Sequence, residues 1–309
     1  MPDSVSVSSL RTLLKFPFTT PGWTNRFLVG TALLWAGMFV PIIPIVFVAG
    51  YVVRVARRVI QGEPPALADW NDWNQLALDG LRAMVIGLAY MAPSFIVMMG
   101  GLLLYMGVWF GGVFAVAGNQ TESAGATFFA LLLVAMAILF LSMFAGWLLW
   151  ALGLTPLPAA LMHFAAQDRL GAAFQPGKWW EVVRADKWGY LAAWVIMLGL
   201  WGLMGILIMV LYSTLILCAI LPFITAPLSL YMLLVGAAAF GQAYRDGAAQ
   251  LAQKAPAAAV TSAAAAASTE AGPLAELSAP PAEAAAPTKV EHSPAAEPPA
   301  EAAPGMDQP

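Results

Sequence analysis

Side chains able to do acid–base, nucleophilic or metal chemistry are few in this chain, and they are scattered. There is one cysteine, Cys218, and there are two histidines, His163 and His292. A lone cysteine permits neither an intrachain disulfide nor a cysteine metal cage. Cys218 lies in an apolar run and reads as a small buried hydrophobe. A Ser–His–Asp triad is defined in space rather than by spacing. His163 is the histidine that could serve one, because His292 falls in a low-complexity tail. As a proton relay, His163 would want an acidic partner at its own depth, and none is evident, so a satisfied or water-facing imidazole is expected. The densest acidic group is Glu63, Asp69, Asp72 and Asp79, without the spacing of a calcium loop. Asp69 or Asp72 is expected to cap a helix, and Asp79 to face water or pair with Arg82. Phosphate loops, zinc motifs and dinucleotide fingerprints are absent. No catalytic, cofactor or metal residues are therefore assigned. A non-enzymatic role is expected, with no nucleic-acid partner.

The rest of the chain explains why chemistry is sparse. Hydrophobic residues make up 61% and charged residues 10%, against about 45–50% and 25% in soluble domains. A soluble core could not hide that much apolar surface, so lipid must be the solvent for much of it. The net charge of -3 mixes two regions. Residues 247–309 carry seven acids and two bases, whereas the remainder carries ten acids and twelve bases.

The bases fall into groups between apolar runs. They are Arg11, Lys15 and Arg26; then Arg54, Arg57, Arg58 and Arg82; then Arg169, Lys178, Arg184 and Lys187; then Arg245, Lys254 and Lys289. The other gaps, near 113–126 and 213–226, contain no base. This is the positive-inside pattern. It places every base and the C-terminus on the cytoplasmic face of a multi-pass membrane protein, the cell membrane in a prokaryote.

The apolar runs lie at 27–53, about 82–112, 127–153, 188–213 and 222–244. A crossing needs about 20 helical residues, so the last four are read as full spans. The first, 27 residues, is about 40 Å long as one helix. That is enough for one crossing and too little for two. A single crossing would separate Arg26 from Arg54, so a re-entrant hairpin bending at Pro41–Pro44 is preferred; a single crossing with the N-terminus outside is the alternative. Pro156 and Pro158 mark a second expected helix break. A weak repeat runs through the chain: a Pro or Gly turn, a Trp-bearing polar segment, an apolar helix outward, a proline break and a return helix ending in Arg.

The Trp-bearing segments read as helices lying in the interface, with their rings at headgroup level. Trp70, Trp73, Leu76 and Leu81 share one course; Trp180, Val183 and Trp188 share another. Candidate anchors for anionic headgroups are Arg54, Arg57, Arg58, Trp70, Trp73, Trp179, Trp180, Arg184 and Lys187. Gly100-Gly101 reads as helix packing or flexibility. Asn119-Gln120-Thr121 matches a glycosylation triplet. Residues 1–15 are expected to be flexible. The Ala/Pro/Glu tail from 247 is expected to be disordered and could reach a protein partner.

One stretch has the look of a family signature. It comprises Gly50-Tyr51, Arg54, Arg57-Arg58, Gly62-Glu63-Pro64-Pro65, Trp70-Asn71-Asp72-Trp73 and Asp79-Gly80. It resembles an uncharacterised membrane family, domain of unknown function 4013, and Gly241-Gln242-Ala243-Tyr244-Arg245 resembles that family's end, so that the resemblance spans roughly 15–246. The resemblance implies a polytopic membrane protein and no catalytic residues. The helix–elbow–helix units more distantly resemble the membrane regions of some glycerophosphodiester phosphodiesterases, which would imply lipid contact.

The sequence thus predicts an all-α membrane protein with interfacial helices and a disordered tail. Its expected role is membrane organisation or interaction with lipid and a partner. A transporter or permease subunit for a small or lipid-like substrate is the alternative, with its path lined by the broken helices.

Overall fold

The computed structural model describes residues 7–118, 121–213 and 220–270. Cys218, Asn119-Gln120 and residues 271–309 lie outside them. The chain divides into two units, Met1–Ala257 and Ala258–Pro309. Of the second, residues 258–270 are described, and they are helical.

Among the described residues the fold is helical, without strands. In chain order the helices are α1 Val7–Thr19, α2 Trp23–Ala36, α3 Ile43–Ile60, α4 Trp73–Gly118, α5 Glu122–Leu154, α6 Leu157–Gln167, α7 Pro176–Ala185, α8 Lys187–Tyr212 and α9 Leu221–Glu270, with a 3-10 turn at Leu170–Phe174 before α7. Four stretches are long and apolar enough to cross a bilayer: Trp73–Gly118, Ser123–Gln167, Lys187–Tyr212 and Leu221–Lys254. These are the four spans expected from the apolar runs. Much of their surface carries exposed large hydrophobics such as Phe95, Phe114, Phe140 and Leu203. An apolar exterior of that kind is stable only in lipid.

The first apolar run breaks as its prolines suggest. α2 and α3 have 14 and 18 residues, about 21 and 27 Å. Between them Ile43 N–H donates to Pro41 O at 3.1 Å across Ile42, whose φ is 83°. This is a γ-turn, and a β-branched residue there is strained. The two helices return to the same side. Arg26, near the start of α2, and Arg54, in the second half of α3, both bind the connector at Asp69. The segment is therefore a helical hairpin, the shape expected of the re-entrant reading.

The other prolines differ from expectation. Pro44 sits in the first turn of α3 and Pro158 in that of α6, where a missing N–H is tolerated. Thr155 and Pro156 keep right-handed helical backbone between α5 and α6. They interrupt the hydrogen-bond ladder without reversing the chain. The chain instead reverses between the end of α4 at Gly118 and the start of α5 at Glu122, so the expected proline break of the second repeat unit lies within its return helix.

Residues 7–15, within the segment expected to be flexible, form part of α1, which buries Leu13 and Phe16 and leaves Arg11 and Lys15 exposed. Tyr231 Oη of α9 donates to Leu14 O at 3.0 Å, holding α1 down. Trp70–Leu81 is not a separate interfacial helix, because Trp73 opens α4, which continues unbroken into a span. Past Asp246, α9 continues as helix to Glu270, and residues 271–309 of the expected disordered tail lie outside the described residues.

The buried core gathers Val55, Ala56 and Val59 of α3, Ala160 and Phe164 of α6, and Leu230, Leu234, Val235 and Ala238 of α9. Small residues let backbones approach. A Cβ on Gly50 would overlap Leu76 O, and one on Gly80 would overlap Val46 O, so α3 and α4 cross in backbone contact at this pair. Gly101 meets the Ser142 side chain of α5, whereas Gly100 faces open space. Gly50→Ala or Gly80→Ala should therefore force the helices apart and destabilise the protein by about 1–3 kcal/mol. Thermal unfolding in detergent should show the loss, while Gly100→Ala should leave the midpoint unchanged.

Candidate functional site at the charged end

The connector 61–72 is a strap fastened across α2 and α3 by the residues that flank it. Arg26 of α2 donates to Leu67 O at 3.1 Å and pairs with Asp69 at 2.6 Å. Trp70 Nε1 donates back to Arg26 O at 2.7 Å. Tyr51 of α3 donates to Ala68 O at 2.8 Å, and its ring lies flat on Trp70 with centroids 4.0 Å apart. Burial raises the Tyr51 phenol well above its ordinary value, so it stays protonated and keeps this donor. Arg54, one helical turn on, donates to Asn71 O at 2.8 Å and to Asn71 Oδ1 at 2.9 Å. Arg58 pairs with Glu63 through Nε at 3.1 Å. Asp72 ends the strap as the cap of α4, accepting from Gln75 N–H at 3.4 Å. Of the two acids expected to cap, Asp72 does so and Asp69 binds Arg26.

Beneath the strap lies a buried ion network. Arg57 Nη1 donates to Asp79 Oδ2 at 2.9 Å, Nη2 to Asp168 Oδ1 at 2.9 Å and Nε to Ala165 O at 3.2 Å. The Asp79 side chain is 0% exposed and that of Arg57 21%. Gln75 Nε2 donates to Asp79 Oδ1 at 3.1 Å. Arg82 stands 3.8 Å from Asp79 and 3.6 Å from Asp168. Asp79 thus does not face water. Its chief partner is Arg57, because α4 passes under α3 at the Gly50–Gly80 contact. Asp168, in left-handed backbone at the end of α6, supplies the third corner. Nothing in the linear spacing marked it.

His163 is buried and satisfied. Nδ1 lies 2.7 Å from Tyr244 Oη, and Nε2 lies 2.8 Å from Gln167 Nε2. Since Gln167 can only donate from that nitrogen, Nε2 accepts and Nδ1 carries the proton. Among the described residues no three His, Cys, Asp or Glu side chains converge as metal ligands.

The expected headgroup anchors therefore separate into two sets. Arg54, Arg57, Arg58 and Trp70 bind the chain's own strap and network. Trp73 opens α4 against Phe47 and Trp70, and Trp179 is buried. Trp180, Arg184 and Lys187 stay exposed. The Arg184 guanidinium lies 5.6 Å from the Trp180 ring, and Lys187 Nζ lies 5.8 Å from that of Trp188. Trp188, 68% exposed, belongs to this patch although the anchor set read from the sequence omits it.

Two recesses flank these elements. One is an open polar cleft of about 380 Å³ lined by Arg54, Arg58, Ala68, Asp69, Asn71 and Asp72. The other, about 250 Å³, lies between α2 and α9 and is lined by Leu28, Thr31, Ala32, Trp35, Phe223 and Ala226.

The strap and network residues are the signature noted in the sequence, and comparison with known families agrees. The model of the family described as "Protein of unknown function (DUF4013)" matches residues 33–214. The chain belongs to this family. The match is narrower than the resemblance over 15–246, and Gly241–Arg245 falls outside it. No curated protein and no solved structure matches. The likeness to glycerophosphodiester phosphodiesterase membrane regions finds no support. Within this DUF4013 member, most signature side chains with charge or ring systems bind another part of the same end.

Asp79→Asn should leave Arg57 half-buried without its main counter-charge. Loss of one partner of a buried pair costs about 3–5 kcal/mol, and the partial exposure of Arg57 places the expected loss at the lower edge. Arg57→Met combined with Asp79→Leu should recover part of it, because an apolar pair leaves no stranded charge. Unfolding midpoints of the single and double variants measure this directly.

Proposed function

We propose that this DUF4013 protein is a non-catalytic membrane organiser whose basic, aromatic surface on α7 and the first turn of α8 engages anionic lipid headgroups. The observation that carries the reading is the pairing of exposed cations with exposed indoles: Arg184 over Trp180, and Lys187 over Trp188. Lys178 is exposed on the same short helix, while Trp179 and Val182 bury its opposite face. A helix so divided can lie in the headgroup layer, with indoles at the apolar boundary and cations at phosphate level.

The positive-inside distribution supports placing this surface, and with it the C-terminus, in the cytoplasm. The tail would then extend toward a protein partner. Transport has less support. Pro44, Pro156 and Pro158 lie in helical backbone, and the groove between α2 and α9 is lined by apolar side chains apart from Thr31.

The test uses the full-length protein in nanodiscs of mixed phosphatidylcholine and phosphatidylglycerol, with bound lipid counted by native mass spectrometry. Phosphatidylglycerol should be enriched around the wild type. Each cation near a charged surface contributes about 1 kcal/mol, so Lys178→Gln, Arg184→Gln and Lys187→Gln together should abolish the enrichment while leaving the unfolding midpoint in place. Equal lipid ratios for wild type and triple variant would contradict the reading.

A further inference from the structure

The polar cleft over the strap uses different residues from α7, and its charges are of both signs. Arg54 and Arg58 stand one helical turn apart on α3 and face the same recess. Arg54 binds the strap through Nη1, and Arg58 binds Glu63 through Nε. Their other guanidinium nitrogens have no partner among the described residues. Asp69 and Asp72 line the same recess. Asp69 is neutralised by Arg26 at 2.6 Å. Asp72 accepts one long bond from Gln75 N–H and pairs with no cation among the described residues. The recess therefore offers both guanidinium donors and a carboxylate acceptor.

We infer that this cleft is a binding site for a zwitterionic phospholipid headgroup of the phosphoethanolamine type, with its phosphate on Arg54 and Arg58 and its ammonium on Asp72. Guanidinium suits a phosphate because it presents several N–H donors in one plane. A primary ammonium has three donors and matches a carboxylate. A purely anionic headgroup would meet the same arginines but would face Asp72 unfavourably. The volume of about 380 Å³ admits such a headgroup.

The experiment measures retention of dihexanoyl phosphatidylethanolamine, dihexanoyl phosphatidylglycerol and inorganic phosphate by the full-length protein in detergent, using native mass spectrometry. Phosphatidylethanolamine should be retained about five-fold better than phosphatidylglycerol, the size of an exposed ion-pair effect. Asp72→Asn keeps a capping side chain but removes the charge, and should bring the ratio close to one. Arg58→Gln should weaken both lipids together. Equal retention of the two lipids by wild type, an unchanged preference in Asp72→Asn, or displacement of phosphatidylethanolamine by an equal concentration of inorganic phosphate would each overturn the inference. Should Arg58→Gln fail to fold, the Asp72→Asn ratio decides alone. Loss of anionic lipid binding at α7 would not affect this result, so the two readings fail separately.

Discussion

One guanidinium, that of Arg57, joins segments separated by up to 111 residues in the chain. It binds Asp79 of α4, Asp168 at the end of α6 and the Ala165 carbonyl at once. A buried ion pair contributes little net stability, because desolvation offsets most of the attraction. What it does supply is register. With Asp79 enclosed and both its oxygens engaged, α3, α4 and α6 have one arrangement that leaves no charge stranded. The Gly50–Gly80 crossing makes that possible, since only glycine backbones come near enough to bring Arg57 over Asp79. The strap then closes across the same end, held by Arg26, Tyr51 and Arg54.

This arrangement gives the arginines, tryptophans and prolines between Gly50 and Gly80 a structural role at the charged end. Pro64 and Pro65 keep the strap extended, Trp70 fills the space over Tyr51, and the arginines satisfy its carbonyls. A strap of this kind has no helix or sheet to absorb its backbone polar groups, so side chains must do it. The surface left to meet other molecules is correspondingly small: the α7 patch and the cleft between Arg58 and Asp72.

Much of the architecture was legible because lipid imposes a simple rule. Runs of about twenty apolar residues between polar gaps located all four spans, and the placing of Arg26 with Arg54 argued for the hairpin that the structure contains. Pro41 was legible as a break for the same reason, since a helix cannot continue through a strained γ-turn. Less was legible at the charged end. Trp70 and Trp73 have helical spacing, yet Trp70 lies in the strap, because stacking on Tyr51 outweighs its helical preference. Asp79 read as facing water or pairing with Arg82; Arg82 does stand near it, but its burial and its bond to Arg57 depend on a helix crossing rather than on its neighbours in sequence. Asp168 gave no signal, and α1 was hidden by a Ser-rich start whose docking involves Tyr231, more than 200 residues later, at Leu14 and Phe18. Pro156 was legible as a helix break, which falls between Leu154 and Leu157, but not as one that leaves the chain direction unchanged, because a proline's effect depends on its position within a helical turn.

The central physical claim is that both ends of the α2–α3 hairpin share one aqueous compartment with α7. Single cysteines at Thr24, Gln61 and Lys178, all at exposed positions, in a Cys218→Ala background, can be challenged with a membrane-impermeant maleimide from each side of the bilayer. All three should react from the same side and resist from the other. Labelling of Thr24 from the compartment opposite to Gln61 or Lys178 would contradict the hairpin and the single charged end built on it.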